Sequence, residues 1–289
     1  MLLTELFKKN EFVITSEVGP PKGCCLDELL DKADSFLREV HAVNVTDCQS
    51  SVMRLGSLAT CKALKDNGHN SVYQLTCRDR NRIALQSDLL SAAFFGIDNL
   101  LLLTGDHTTL GDAPESKPVY DLDSVSLLNA VSMLETGVDF DGNELTGAPP
   151  KFAKGAVVSP CSDSLDAQLY KMEAKIRAGA QFFQTQTVYE PEKFFTFMEK
   201  AKQFGVPVML GMVILKSARM ANFMNNNIAG VCIPQHIIDE LAMDAGSASA
   251  PTGVKIAARV IKECRPYCQG LHIMPLGWED KVPKLLNLI

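Results

Sequence analysis

No stretch of this sequence carries the roughly 18 consecutive apolar residues that a membrane span needs. Met1-Leu2-Leu3-Thr4 runs directly into Lys8-Lys9-Asn10-Glu11, so no signal-peptide apolar region is expected. An excess of basic charge is also lacking. With 28 Lys and Arg against 34 Asp and Glu, the formal net charge is −6, which argues against a general nucleic-acid binder. The 9 cysteines contain no C-x-x-C pair, and their odd number reads as reduced thiols of a cytoplasmic protein. Cys264 and Cys268, four apart, could share a helix face, but no second pair stands nearby to complete a metal site. They are expected to be buried thiols, and no metal is expected. Glycine-rich phosphate turns are absent, as are G-x-S-x-G and H-E-x-x-H.

What is present is a large apolar fraction in a regular pattern. Hydrophobic residues make up 46% of the 289 and charged residues 21%, enough for a sizeable core. Glu11 to Val18 is a β-rich run stopped by Pro20-Pro21, and Leu26, Leu29, Leu30, Ala33, Leu37 and Val40 then recur at helical spacing. Further strands are expected at 42–46, 71–77, 97–103, 155–159, 181–187, 206–212 and 271–275, with helices between most of them. The early and middle strands start about 26 to 30 residues apart, one β-α unit per step, apart from an insertion at 137–150 with turn chemistry around Asp141-Gly142. A longer excursion separates the helical piece near 218–224 from Arg265. Eight such units in this length predict an α/β fold, a single-domain (β/α)₈ TIM barrel over 1–289. A doubly wound sheet would announce a Gly-rich turn after its first strand, where this chain has Glu-Val-Gly-Pro-Pro.

In such a barrel all strand C-termini open on one mouth. The residues expected there are Glu17, Thr46-Asp47, Thr76-Cys77, Gly105-Asp106, Ser159, Gln186 and His272. Glu17 interrupts an apolar run at a rigid Pro-Pro corner. Burial would favour its protonated form and fit it to donate a proton, whereas a solvated Glu17 would pair with Lys22. Asp106 is either a fixed acceptor in the site or an ordinary turn residue. Gln186 could present both a donor and an acceptor to a heterocycle, or face solvent. Lys175, on the helix after the fifth strand, stands behind the mouth or is simply exposed.

Glu17-x-x-Pro20-Pro21-Lys22, Leu75-Thr76-Cys77, Thr104-Gly105-Asp106, Lys175-x-x-Ala178-Gly179-Ala180 and Thr185-Gln186 together resemble the methylenetetrahydrofolate reductase family. They keep its order and spacing from about 11 to 278. The resemblance implies a flavin-bearing barrel that reduces 5,10-methylenetetrahydrofolate to 5-methyltetrahydrofolate. It implies that Glu17 is the general acid, that Asp106 lies between flavin and pterin, and that Gln186 contacts the pterin. It further implies flavin contacts from Thr46, Gly105, Tyr120 and Lys175, and Gln74, Thr104, Asp106 and Ser159 complete the expected cofactor-binding set.

Two departures stand out. Better-known members have His where this chain has Gln74, and Arg where it has Thr104. The missing arginine leaves FAD and FMN both open. The insertion and the Gly270–Trp278 segment look more like members in acetogen-type or fused methyltransferase arrangements; the acetogen type works with a separate zinc and iron–sulfur subunit, which implies electrons from such a partner as an alternative to NADH. An oligomer is expected. The rival readings are a folate- or corrinoid-linked methyltransferase barrel, which needs no flavin, and a non-catalytic barrel subunit of a larger complex.

Overall fold

Strands buried on both faces can satisfy their backbone groups only by pairing, and here the pairing closes on itself. The computed structural model of the chain describes residues 1–243 and 251–289. After a short helix α1 (Leu3–Lys8), eight parallel strands pair in chain order: β1 (Val13–Val18), β2 (Ala42–Val45), β3 (Ser71–Thr76), β4 (Asn99–Leu103), β5 (Ala153–Val158), β6 (Phe182–Thr187), β7 (Val208–Val213) and β8 (Gly270–Met274). β8 returns to β1 with Thr15 opposite His272, completing a closed barrel. The expected (β/α)₈ fold is the fold found.

Helices α2 (Asp27–Phe36), α3 (Ser57–Asp66), α4 (Arg82–Phe94), α5 (Ser124–Leu134), α6 (Leu165–Arg177), α7 (Pro191–Ala201) and α8 (Ala218–Asn227) follow the first seven strands in turn. Their local signals are plain in the chain. Asp123 caps α5 by accepting from the N–H groups of Val125 and Ser126, while the Ser126 hydroxyl accepts from the Asp123 N–H, a reciprocal box. Pro191 opens α7, where its fixed φ costs nothing, and Phe194, Phe197, Met198 and Ala201 form the buried stripe behind it. The excursion before Arg265 contains two helices, α9 (Gln235–Met243) and α10 (Pro251–Cys264), and its residues 244–250 lie outside the described residues. The last helix is α11 (Val282–Leu286). Among the described residues no helix is long and apolar enough to cross a membrane. In the insertion, Val138 bridges Glu144, and Asp139 accepts from the N–H groups of Asp141 and Asn143 across the turn. Cys264 and Cys268 are buried.

The barrel interior is stratified. At its lower end a separate apolar cluster joins Leu3 and Leu6 of α1 to inward-facing Val13, Val72, Leu101, Phe182 and Met209. Phe182 fills space that Gly155 leaves open: a Cβ at 155 would sit 2.4 Å from the Phe182 ring. α1 is held against this floor by the Leu3 N–H, which donates to Asn99 Oδ1 at 2.8 Å. Above the apolar layer the interior turns polar, with Thr15, Asn44, Gln74, Gln184 and His272 all buried.

α1 therefore belongs to the core rather than to an appended tail. Leu3, 0% exposed, is expected to cost about 3 kcal/mol of unfolding free energy when replaced by Ala, measured by chemical denaturation. A loss below about 1 kcal/mol would show that the floor closes without it.

Candidate active site

The strand C-termini enclose a cavity of about 460 Å³, within the usual range for small-molecule sites. The expected residues divide by position. Glu17 and Gln74 line it from β1 and β3, and Thr46 from just past the end of β2. Thr104, Gly105 and Asp106 line it from the end of β4. Ser159, Lys175 and Gln186 close the side formed by β5, α6 and β6. Tyr120 is not among the lining residues. It stands behind the Gly105–Asp106 turn, with its hydroxyl donating to the Asp106 carbonyl at 2.9 Å.

Glu17 is 8% exposed and sits where the polar layer meets the mouth. Gln74 Nε2 donates to its Oε2 at 3.1 Å, and His272 Nε2 lies 3.7 Å from the same oxygen. The other ring nitrogen of His272 is 2.9 Å from Thr15 Oγ1, which also accepts from Gln184 Nε2. Gln184 and Asn44 are linked in turn, with Asn44 Nδ2 donating to Gln184 Oε1 at 3.0 Å. The alternative partner expected for Glu17, Lys22, pairs with Asp112 instead. Glu17 is thus an acid with two polar neighbours beneath it and open space above.

The neighbouring acid is tied down differently. Asp47 takes two bonds from Thr76, from N–H at 2.9 Å and Oγ1 at 2.8 Å, and a fork from Arg80 at 2.8 and 3.0 Å. Burial by itself would raise the Asp47 carboxyl, but Arg80 and the Thr76 donors outweigh it and hold the group below the usual carboxylate range. Arg80 reaches on to Asp88 at 3.0 Å, so this cation is matched on both sides. Lys175 is the opposite case. Its ammonium donates to the Val157 carbonyl at 2.7 Å, and no carboxylate forms an ion pair with it among the described residues. Burial, together with Lys171 one turn earlier, lowers it to about 8.

The pairing of β6 with β7 shifts between Gln184 and Thr187, and the irregularity falls at Gln186. Its Oε1 accepts from the Thr187 N–H at 3.0 Å. The amide nitrogen is the group left for a ligand. Among the described residues no group of three His, Cys, Asp or Glu could hold a metal ion.

Sequence reasoning did not single out Thr15, Asn44, Gln184, Arg78, Arg80 or Lys171. The first three carried a signal. Each lies two residues before a recognised strand-end residue, Glu17, Thr46 and Gln186, and period-two alternation turns both members of each pair inward. The cluster Arg78-Asp79-Arg80 reads as solvated surface and gives no such clue.

Because removing one member of a buried ion pair strands the other, Asp47→Asn is expected to cost about 3 kcal/mol at neutral pH. The contribution of Asp47 is present above its unfolded value, near pH 4, and is lost as pH falls through the lower folded value. Urea denaturation across acid pH should therefore show a flatter acid limb in the variant. An unchanged limb would remove Asp47 from the account.

A family model described as methylenetetrahydrofolate reductase matches residues 2–289. The chain is 28% identical over 198 residues to a 5,10-methylenetetrahydrofolate reductase of Pectobacterium carotovorum, covering 68% of this chain and 61% of that protein. It is 25% identical over 176 residues to a probable methylenetetrahydrofolate reductase (NADPH) of Caenorhabditis elegans, covering 60% of this chain and 25% of that one. The chain thus spans between a quarter and about three-fifths of the length of these two relatives. Among solved structures, a Clostridium thermocellum protein that binds two copies of 5-methyl-5,6,7,8-tetrahydrofolic acid superposes with a TM-score of 0.68 at 16% identity, over 100% of this chain and 97% of that one. A 2,3-dimethylmalate lyase shares the fold at a TM-score of 0.53 and 11% identity, over 99% and 83%.

Proposed function

From the premise that the chain belongs to the methylenetetrahydrofolate reductase family, we propose that its mouth binds a flavin and a reduced folate and catalyses reduction of 5,10-methylenetetrahydrofolate to 5-methyltetrahydrofolate. The observation that carries this reading is Glu17, a nearly buried acid at the cavity floor with Gln74 and His272 on one oxygen. As general acid, Glu17 gives a proton to the folate nitrogen that departs when the five-membered ring opens, leaving an electrophilic iminium carbon. Gln74 and His272 hold the carboxyl facing the mouth while it does so. Asp106 offers an unshared carboxylate to the pterin, and the Gln186 amide nitrogen donates to it. That a fold neighbour binds 5-methyltetrahydrofolic acid makes this compound the first ligand to try.

The residues present fit a flavin. The Thr46 hydroxyl is buried on the cavity wall without a partner among the described residues, a group that a ligand acceptor or donor would satisfy. Lys171 and Lys175 face the same cavity one helical turn apart with no ion pair to either among the described residues, an arrangement that favours an anion such as a flavin phosphate. When bound, the flavin supplies a hydride to the methylene carbon. Thr104, Gly105 and Ser159 shape the wall around it, and Tyr120 acts through the turn it supports. The electrons come from NADH or from a partner protein of the zinc and iron–sulfur kind.

The test is reconstitution with FAD and with FMN, followed by anaerobic reduction and mixing with 5,10-methylenetetrahydrofolate. Reoxidation of the flavin that is slowed at least about 100-fold in Glu17→Gln, with flavin retained, is the expected outcome. A protein that binds folate but neither flavin would favour the methyltransferase reading. Unchanged turnover in the variant would remove the acid role. Adding NADH alone to the oxidised protein separates the two donors.

Lys175 sets a pH dependence. Below about 8 it is protonated whether or not an anion is bound. Above that value free Lys175 has lost its proton and the complex must take one up, so flavin affinity should fall by up to about tenfold per pH unit. Fluorescence titration should show this fall in the wild type and its absence in Lys175→Met.

A further inference from the structure

Arg78 stands two residues past the end of β3, and it is 2% exposed although it carries a full charge. Every nitrogen of its guanidinium is engaged inside the protein. Nε and Nη2 donate to the two carboxylate oxygens of Asp79 at 2.9 and 2.8 Å, which offsets the charge on the spot. The remaining bonds leave for two other loops. Nη2 reaches the Cys48 carbonyl at 3.1 Å and Nη1 the Asp106 carbonyl at 3.3 Å. Cys48 follows β2 and Asp106 follows β4, so one side chain bridges three consecutive strand ends.

We propose that Arg78 is a positioning residue, which sets where the Asp106 carboxylate stands in the mouth by tying the Asp106 and Cys48 carbonyls to the end of β3. That Asp106 contacts a ligand rests on the function proposed above, whereas the clamp itself does not. The turn that carries Asp106 is pressed against this anchor. Gly105 has φ +92°, and a Cβ there would lie 3.2 Å from Arg78 Cβ and 3.1 Å from Thr76 Cβ. The Asp106 carbonyl takes a second bond from the Tyr120 hydroxyl, and the Arg78 carbonyl accepts from the Val119 N–H at 2.7 Å. Arg78 therefore also holds the segment that delivers Tyr120.

Backbone conformation agrees with a held site. Tyr120 and Cys48 both have φ +43°, and Ser50 and Ser51 have +55° and +58°. Non-glycine residues keep such left-handed conformations only where their surroundings hold them, and they concentrate at functional sites. Both loops that Arg78 ties contain them. With its carbonyl fixed from two sides, Asp106 leaves its carboxylate without a hydrogen bond among the described residues.

The test compares Arg78→Lys with wild type, because one ammonium cannot span both carbonyls and the Asp79 fork. Hydrogen exchange is expected to accelerate in both 48–52 and 105–111. No change in either segment overturns the clamp. Asp79→Asn keeps Arg78 but releases its fork, and it should move the same two segments if Arg78→Lys folds poorly. Positioning is then read with 5-methyltetrahydrofolate as the probe. Arg78→Lys should weaken binding about tenfold, yet add less than about twofold in an Asp106→Asn background. Equal losses in both backgrounds overturn the positioning role. A wild-type protein that does not bind the probe sinks the folate reading, and exchange alone then decides the clamp.

Discussion

A carboxyl group inside a barrel must be hydrogen-bonded, neutralised or protonated, and the upper half of this barrel is arranged around that requirement. Glu17 could not occupy the inner face of β1 above an apolar layer like the one below it. Instead Gln74 and His272 meet its oxygen, and Thr15, Gln184 and Asn44 continue the polar chain into the interior. The chain ends where Phe182 and Met209 begin. Aliphatic side chains usually fill this part of such barrels. Here a layer of amides, a hydroxyl and an imidazole gives the acid a fixed orientation that a dry core could not.

The rim follows a second rule, that the cations on the β1–β4 side are matched locally. Arg78 is matched by Asp79, Arg80 by Asp47 and Asp88, and Lys22 by Asp112. These pairs also link the loops after β1, β2, β3 and β4, which make up half of the mouth. Across the cavity, Lys171 and Lys175 have no such match among the described residues, and burial drives Lys175 toward neutrality. One wall is thus pre-arranged with Asp106 as its unshared carboxylate, and the other holds positive charge in reserve. An elongated ligand with an anionic tail and a flat polar head can satisfy both at once.

Much of this was legible in the chain. The spacing of the strands gave the barrel, since each β-α unit has little freedom in length. The C-terminal position of Glu17, Thr46, Gly105-Asp106, Ser159 and Gln186 gave most of the cavity wall. What could not be read depended on partners distant in sequence. Lys22 was as reasonable a partner for Glu17 as any, and only the closed sheet brings Gln74 and His272 to it. Tyr120 lies where its ring supports a turn from outside, a distinction that spacing cannot make. α1 carried too few residues for a periodic signal, and the two helices before β8 fell within the long excursion that was not divided into elements. Arg78 and Arg80 carry no local sign that they reach Cys48 and Asp47 after β2 or the Asp106 carbonyl after β4.

The floor of the barrel bears on how the chain is made. α1 is anchored to Asn99 and packs Phe7 against Phe182, with ring centroids 5.9 Å apart. Its docking surface therefore does not exist until β6 has been synthesised and paired. At ordinary rates of translation that leaves α1 waiting for roughly 10 to 35 seconds with Leu3, Leu6 and Phe7 uncovered. A stretch made early but fastened late is a natural handle for a chaperone.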